Sequence, residues 1–172
     1  MILFEQKWRK LYDPFYPEPP SNVTVIRDQQ YGPFERNYLD VFIPNGTETE
    51  KPVLMYVHGG GFFSGDKMWT EKVYSNIGWF FARHGIITVI LNHRLVPNVR
   101  YPGGADDIQM AREWIFNHIS SPKYGCGSVN KVVLFGHSSG GAHIAANLYA
   151  AGKNLSSNYI LYSTKPSTNR CR

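Results

Sequence analysis

The feature that most constrains this chain is a junction. Lys131-Val132-Val133-Leu134-Phe135 runs into Gly136-His137-Ser138-Ser139-Gly140-Gly141 and then into an alanine-rich stretch that stops at Gly152. A short continuous apolar run bounded by turn residues is the pattern of a strand buried on both faces. Small residues after it suit a helix packed close to a sheet. The glycines around Ser138 remove Cβ atoms that a sharp strand-to-helix turn would crowd. A G-x-S-x-G sequence in that context is a nucleophile elbow, which holds its serine in a strained, exposed conformation.

The remaining pattern extends the same architecture. Val23–Arg27 and Tyr38–Ile43 read as strands joined by a Tyr31-Gly32-Pro33 turn. Val53–Val57 and Ile86–Leu91 read as further buried strands, and Asn158–Tyr162 as a last short one. Between them, Val73, Ile77, Phe80/Phe81 and His84 fall on one helical face that stops at Gly85. Ile108, Ala111, Ile115 and Ile119 fall on another, with Asp106 and Asp107 in the first turn. A third helix is predicted over residues 139–151. Strand–helix alternation of this kind predicts an α/β fold, a mainly parallel sheet with helices on both faces. Residues 1–22 read as an arm or partial lid, 23–162 as the core and 163–172 as a polar tail.

A second glycine motif, His58-Gly59-Gly60-Gly61-Phe62, follows the Val53–Val57 strand directly. Backbone N–H groups on such a loop can approach a developing oxyanion closely. A phosphate-binding loop is a poor alternative. Gly60 and Gly65 have its spacing, but Asp66 and Lys67 occupy the lysine and hydroxyl positions. A dinucleotide fingerprint also fails, because no helical stretch follows before about Thr70.

These motifs occur in a telling order. His58–Phe62, Leu91-Asn92-His93-Arg94-Leu95-Val96-Pro97, Tyr101-Pro102-Gly103-Gly104-Ala105-Asp106-Asp107, Trp114 and Gly136–Gly141 follow one another along the chain. In this the sequence resembles hormone-sensitive-lipase-like serine esterases of the α/β-hydrolase fold, and is similar also to kynurenine-formamidase-like hydrolases. The likeness covers residues 38–162. It implies Ser138 as the nucleophile and the N–H groups of Gly60, Gly61 and Ser139 as the oxyanion hole. It implies structural roles for His58, Gly136 and Gly140, and a small-molecule ester or amide substrate with no cofactor and no metal. The sequence departs from the pattern at His93, where the family commonly has tyrosine, and at Leu95-Val96-Pro97-Asn98, in place of Leu-Ala-Pro-Glu.

In this fold the triad acid and histidine follow the serine along the chain. Residues 139–172 contain no Asp or Glu, and their only histidine is His143, inside the predicted helix. Both triad partners of Ser138 are therefore expected to be absent, with the sheet truncated after about the sixth strand. His84, His93, His118, His137 and His143 read as structural. Three functions follow as expectations: ester hydrolysis through Ser138, an inactive truncated form or pseudoenzyme, or formamidase-like amide hydrolysis.

Composition narrows the rest. The apolar runs are of about eight residues or fewer, against roughly 20 for a membrane span. The first residues lack the order of a secretory signal, so a cytoplasmic location is expected. A net charge of +5 is scattered and carries no nucleic-acid-binding signature. Cys126 and Cys171 show neither metal-ligand spacing nor a disulfide framework. The sequons at Asn22, Asn45 and Asn154 carry no weight without a secretory route.

Overall fold

A computed structural model of the chain describes residues 11–150 and Cys171. Its sheet has five strands: β1 (Val23–Gln30), β2 (Tyr38–Pro44), β3 (Lys51–Val57), β4 (Ile87–Leu91) and β5 (Gly127–Gly136). Their spatial order is β1-β2-β4-β3-β5. β2 pairs antiparallel with both β1 and β4, while β3 pairs parallel with both β4 and β5. Four strands thus share one direction and β2 opposes them. The expected last strand, Asn158–Tyr162, lies outside the described residues.

Three helices cover the sheet: α1 (Ser75–Arg83), α2 (Gly103–His118) and α3 (Ser139–Ala150). The strand faces alternate as the pleat requires. Val53, Met55 and Val57 join Val89, Leu91, Ile108, Ala111, Ile115 and Ile144 in one core, under α2 and α3. Tyr56, Phe42 and Ile90 point the other way, onto Trp79 and Ala82 of α1. The predicted stripe of α2 is buried as expected.

The predicted face of α1 is buried only in part. Val73 and Ile77 pack inward, but Ser75, Gly78, Trp79 and Ala82 face the sheet, while Phe80 is 58% exposed and His84 is exposed too. Gly78 lies against the Phe42 ring, which lets the helix approach closely, and Trp79 fills the space beside it. A stripe containing two phenylalanines looked the more apolar in sequence, but close approach decided which side went down.

The expectation of unpaired cysteines is also corrected. Cys126 and Cys171 form a disulfide, with Cα atoms 5.6 Å apart across a separation of 45 residues. Spacing along the chain could not signal it, because the pairing is made in space. Cys126 sits in the turn before β5, and the N–H of Cys171 donates to Ser120 O at 3.2 Å. Replacing Cys126 by Ser should lower unfolding stability by about 3 kcal/mol. Urea unfolding without reductant measures this, and an unchanged midpoint would show that the bridge does not constrain the chain.

Candidate active site

The sheet topology assembles the site. From β3 the chain crosses by α1 to β4 on one side, then returns by α2 to β5 on the other side of β3. Such a reversal opens a crevice at the carboxyl ends of the strands. Val57, the last residue of β3, pairs in register with both Leu91 and Gly136. The segments beginning at His58, Asn92 and His137 therefore emerge level with one another.

Ser138 occupies the turn between β5 and α3, exposed, with φ +52°. The turn is pinned from both sides. His137 N–H donates to Val57 O at 3.1 Å, Gly140 N–H to His137 O at 2.9 Å, and Ala142 N–H to Ser138 O at 3.2 Å. A Cβ on Gly140 would stand 2.3 Å from Val57 O, so only glycine lets α3 begin this close to β3. A Cβ on Gly59 would lie 3.0 Å from Ser138 Cβ, which shows how closely the glycine loop meets the elbow.

Within that loop Gly60, Gly61 and Phe62 all have positive φ, at +137°, +63° and +71°. The Ser64 N–H and hydroxyl both return to Gly60 O, at 3.0 and 2.9 Å. Ser139 is buried beneath the start of α3. The structure thus brings Ser138 against Gly59 of the loop, with Gly60 and Gly61 following directly in the chain. Gly136 packs against Gly140 and Gly141 at the base of the turn.

Three supports for the loop are not evident in sequence. Arg36, just before β2, donates to Gly65 O at 2.8 Å and to His93 O at 2.9 Å. Lys67 Nζ lies 2.8 Å from both Asp28 and the fully buried Asp40. Burial alone would lower the Lys67 pKa, but the bonds to the two carboxylates outweigh it and hold the ammonium above its ordinary value. Asn92 accepts from Lys67 N–H and donates to Asp66. On the following segment, Asp107 is buried and grips the Arg94 guanidinium at 2.8–3.1 Å, so it is more than the helix-end charge expected.

The third support is a column of imidazoles. His58 stacks on His93 at 4.6 Å, His93 meets His143 edge-on at 4.6 Å, and His143 meets Phe62 at 5.1 Å. His58 Nδ1 donates to Gly59 O at 2.8 Å and His93 Nδ1 to Arg94 O at 3.0 Å. His143, expected to be structural, closes this column. Burial, reinforced by His93, pushes His58 and His143 down to about 4, and burial lowers His93 too. A base whose folded pKa lies below its unfolded value binds fewer protons when folded. Stability should therefore be full above pH 6.5 and fall as the pH drops from there toward 4. Urea midpoints across that window test this, and a slope unchanged by His58→Gln would reject His58 as a contributor.

Among the described residues, no histidine or carboxylate is hydrogen-bonded to the Ser138 hydroxyl, and none forms a metal-binding cluster. His84 Nδ1 and His118 Nδ1 donate to helix carbonyls, those of Phe80 and Trp114. No helix among the described residues is long and apolar enough to cross a membrane.

A mixed sheet in this order, with a serine on a strained turn beside a glycine loop at its carboxyl edge, defines the α/β-hydrolase class. Residues 39–172 match the BD-FAE family, and the chain belongs to it. It is similar to isoprenylcysteine alpha-carbonyl methylesterase of Arabidopsis thaliana, at 34% identity over 122 residues, 71% of this chain and 27% of that protein. It is also similar to human bile salt-activated lipase, at 30% identity over 137 residues, 71% of this chain and 18% of that protein. The chain spans about a quarter or less of the length of these relatives. Two solved structures share its fold. Esterase B from Lactobacillus rhamnosis has a TM-score of 0.70 at 23% identity, over 84% of this chain and 45% of that one. A bacterial heroin esterase has a TM-score of 0.67 at 22% identity, over 86% and 45%.

Proposed function

We propose that this chain carries the nucleophile and oxyanion hole of a serine hydrolase for carboxylic esters. The observation that carries the reading is the placement of Ser138, at φ +52° on the turn after β5 and in contact with Gly59 of the glycine loop. Ser138 Oγ attacks the ester carbonyl. The N–H groups of Gly60, Gly61 and Ser139 receive the oxyanion, where preorganised donors are worth most. The alcohol leaves with a proton, an acyl group stays on Ser138, and water releases it as the acid. The hydroxyl proton must go to a base, and this reading assigns that role to none of the described residues. The arm, core and tail divisions belong to the same proposal.

Ester is favoured over amide because relatives of this chain are named as methylesterase, carboxylesterase and lipase. The Cys126–Cys171 bridge favours an oxidising compartment over the cytoplasm, since such bonds persist where thiols are not kept reduced.

The test is to continue the chain with the acid- and histidine-bearing segment of an esterase of the same fold and assay p-nitrophenyl butyrate and an N-formyl anilide. Ester turnover that disappears in Ser138→Ala is expected. Turnover indifferent to that change sinks the reading, and cleavage of the formanilide alone transfers it to amides.

A further inference from the structure

A cavity of about 480 Å³ opens beside the elbow, bounded by Gly61 of the glycine loop, Ala142, His143 and Ala146 of α3, and the segment after β4. Ala142 is in the turn of α3 that bonds back to Ser138, so the cavity begins next to the nucleophile. Its walls are nearly all carbon. Phe62, Phe63, Val96 and Tyr101 expose 42%, 56%, 49% and 77% of their surface around it, an arrangement that water does not reward.

Two guanidinium groups reach this cavity, and they differ. Arg94 is neutralised by Asp107 and lies 3.6 Å above the Phe34 ring. Arg100 is exposed and, among the described residues, its side chain has no ion pair, hydrogen bond or ring contact. His143, also on the wall, is held well below its ordinary value by burial and carries no charge at pH 7. An uncompensated cation on the lip of an apolar concavity concentrates its field there, because the low-dielectric walls screen it poorly.

We propose that this cavity is a subsite for an amphiphilic monoanion, an apolar arm that ends in a carboxylate met by Arg100. An alkyl or aryl-alkyl arm fills the carbon-lined space and leaves no buried polar group unmatched. The terminal carboxylate finds the planar fork that suits it. As part of a substrate this describes an ester whose acyl or alcohol arm is itself acidic, such as a half-ester of a dicarboxylic acid. That substrate role rests on the esterase reading, whereas occupancy of the cavity does not.

The test therefore measures binding by the 172-residue chain and not turnover. Octanoate and 1-octanol are titrated by calorimetry against the chain and against Arg100→Gln and Ala146→Trp. Arg100→Gln should weaken octanoate about two- to fivefold and leave octanol unchanged. Ala146→Trp should abolish both by filling the cavity. Octanoate affinity unchanged in Arg100→Gln would overturn the anion assignment. Binding of both ligands unaffected by Ala146→Trp would overturn the site, and so would absence of binding by either. Inactivity of the extended protein would remove the catalytic reading and leave these binding results standing.

Discussion

On its own, the 172-residue chain should hydrolyse p-nitrophenyl butyrate about a million times more slowly than a protein with the same elbow and a complete triad. The reason is the fate of one proton. A serine hydroxyl attacks poorly unless a base takes its proton in the transition state. No histidine or carboxylate among the described residues is bonded to Ser138 Oγ, and residues 139–172 contain no Asp or Glu. The proposed oxyanion donors would stabilise charge but accept no proton, so they could account for only the residual rate. Initial rates at high protein concentration, corrected for the Ser138→Ala variant, measure this. A robust rate that Ser138→Ala abolishes would mean that another group has been recruited as the base, with His143 and His137 the first to replace.

Asp40→Ala should cost about 4 kcal/mol of unfolding stability, which is exceptional for one side chain. Asp40 is fully buried on β2. It takes Arg27 at 2.8 Å, the N–H of Asp28 at 2.9 Å and Lys67 at 2.8 Å. Its removal strands an ammonium whose remaining partner, Asp28, is 70% exposed. Because Lys67 closes the glycine loop, that loop should loosen along with the fold. The loss is a penalty for an unpaired charge, not the worth of the pair. The double variant Asp40→Leu with Lys67→Met should recover part of it. A single variant within about 1 kcal/mol of the parent in urea would show that solvent reaches the cluster.

The sequence made some of this legible and hid the rest, for physical reasons. Continuous apolar runs mark β3 and β4 because both are buried on both faces, whereas the apolar run of β5 leaves Val133 and Phe135 exposed among the described residues. The elbow and the glycine loop were visible because each needs glycine at fixed offsets, and those offsets survive in one dimension. The predicted strand at Lys131–Phe135 starts later than the observed β5, since Gly127–Asn130 holds a single apolar residue, Val129, too weak a signal on its own. The later half of the α1 face was misread, at Phe80 and His84, because depth of approach at Gly78, not total hydrophobicity, chose the buried side. The histidine column, the Arg36 bonds, the Asp28–Lys67–Asp40 cluster and the Cys126–Cys171 bridge were illegible. Each joins residues from separate segments, and its signal exists only once the strands are in register. The expected absence of both triad partners was read from composition, since residues 139–172 contain no Asp or Glu.

The Cys126–Cys171 bond also changes the topology of the chain as a covalent object. It turns the segment between the two cysteines into a closed ring, and β5, the Ser138 turn and α3 are all threaded on that ring. A protease that cuts once inside the ring opens it into a fork and releases nothing. Ser138 would stay tethered to β3 through whichever arm remained. The glycine loop lies outside the ring, where one cut divides the molecule into two separable pieces. The elbow and the glycine loop thus have different tolerance to chain scission, a difference that a gel run with and without reductant makes visible.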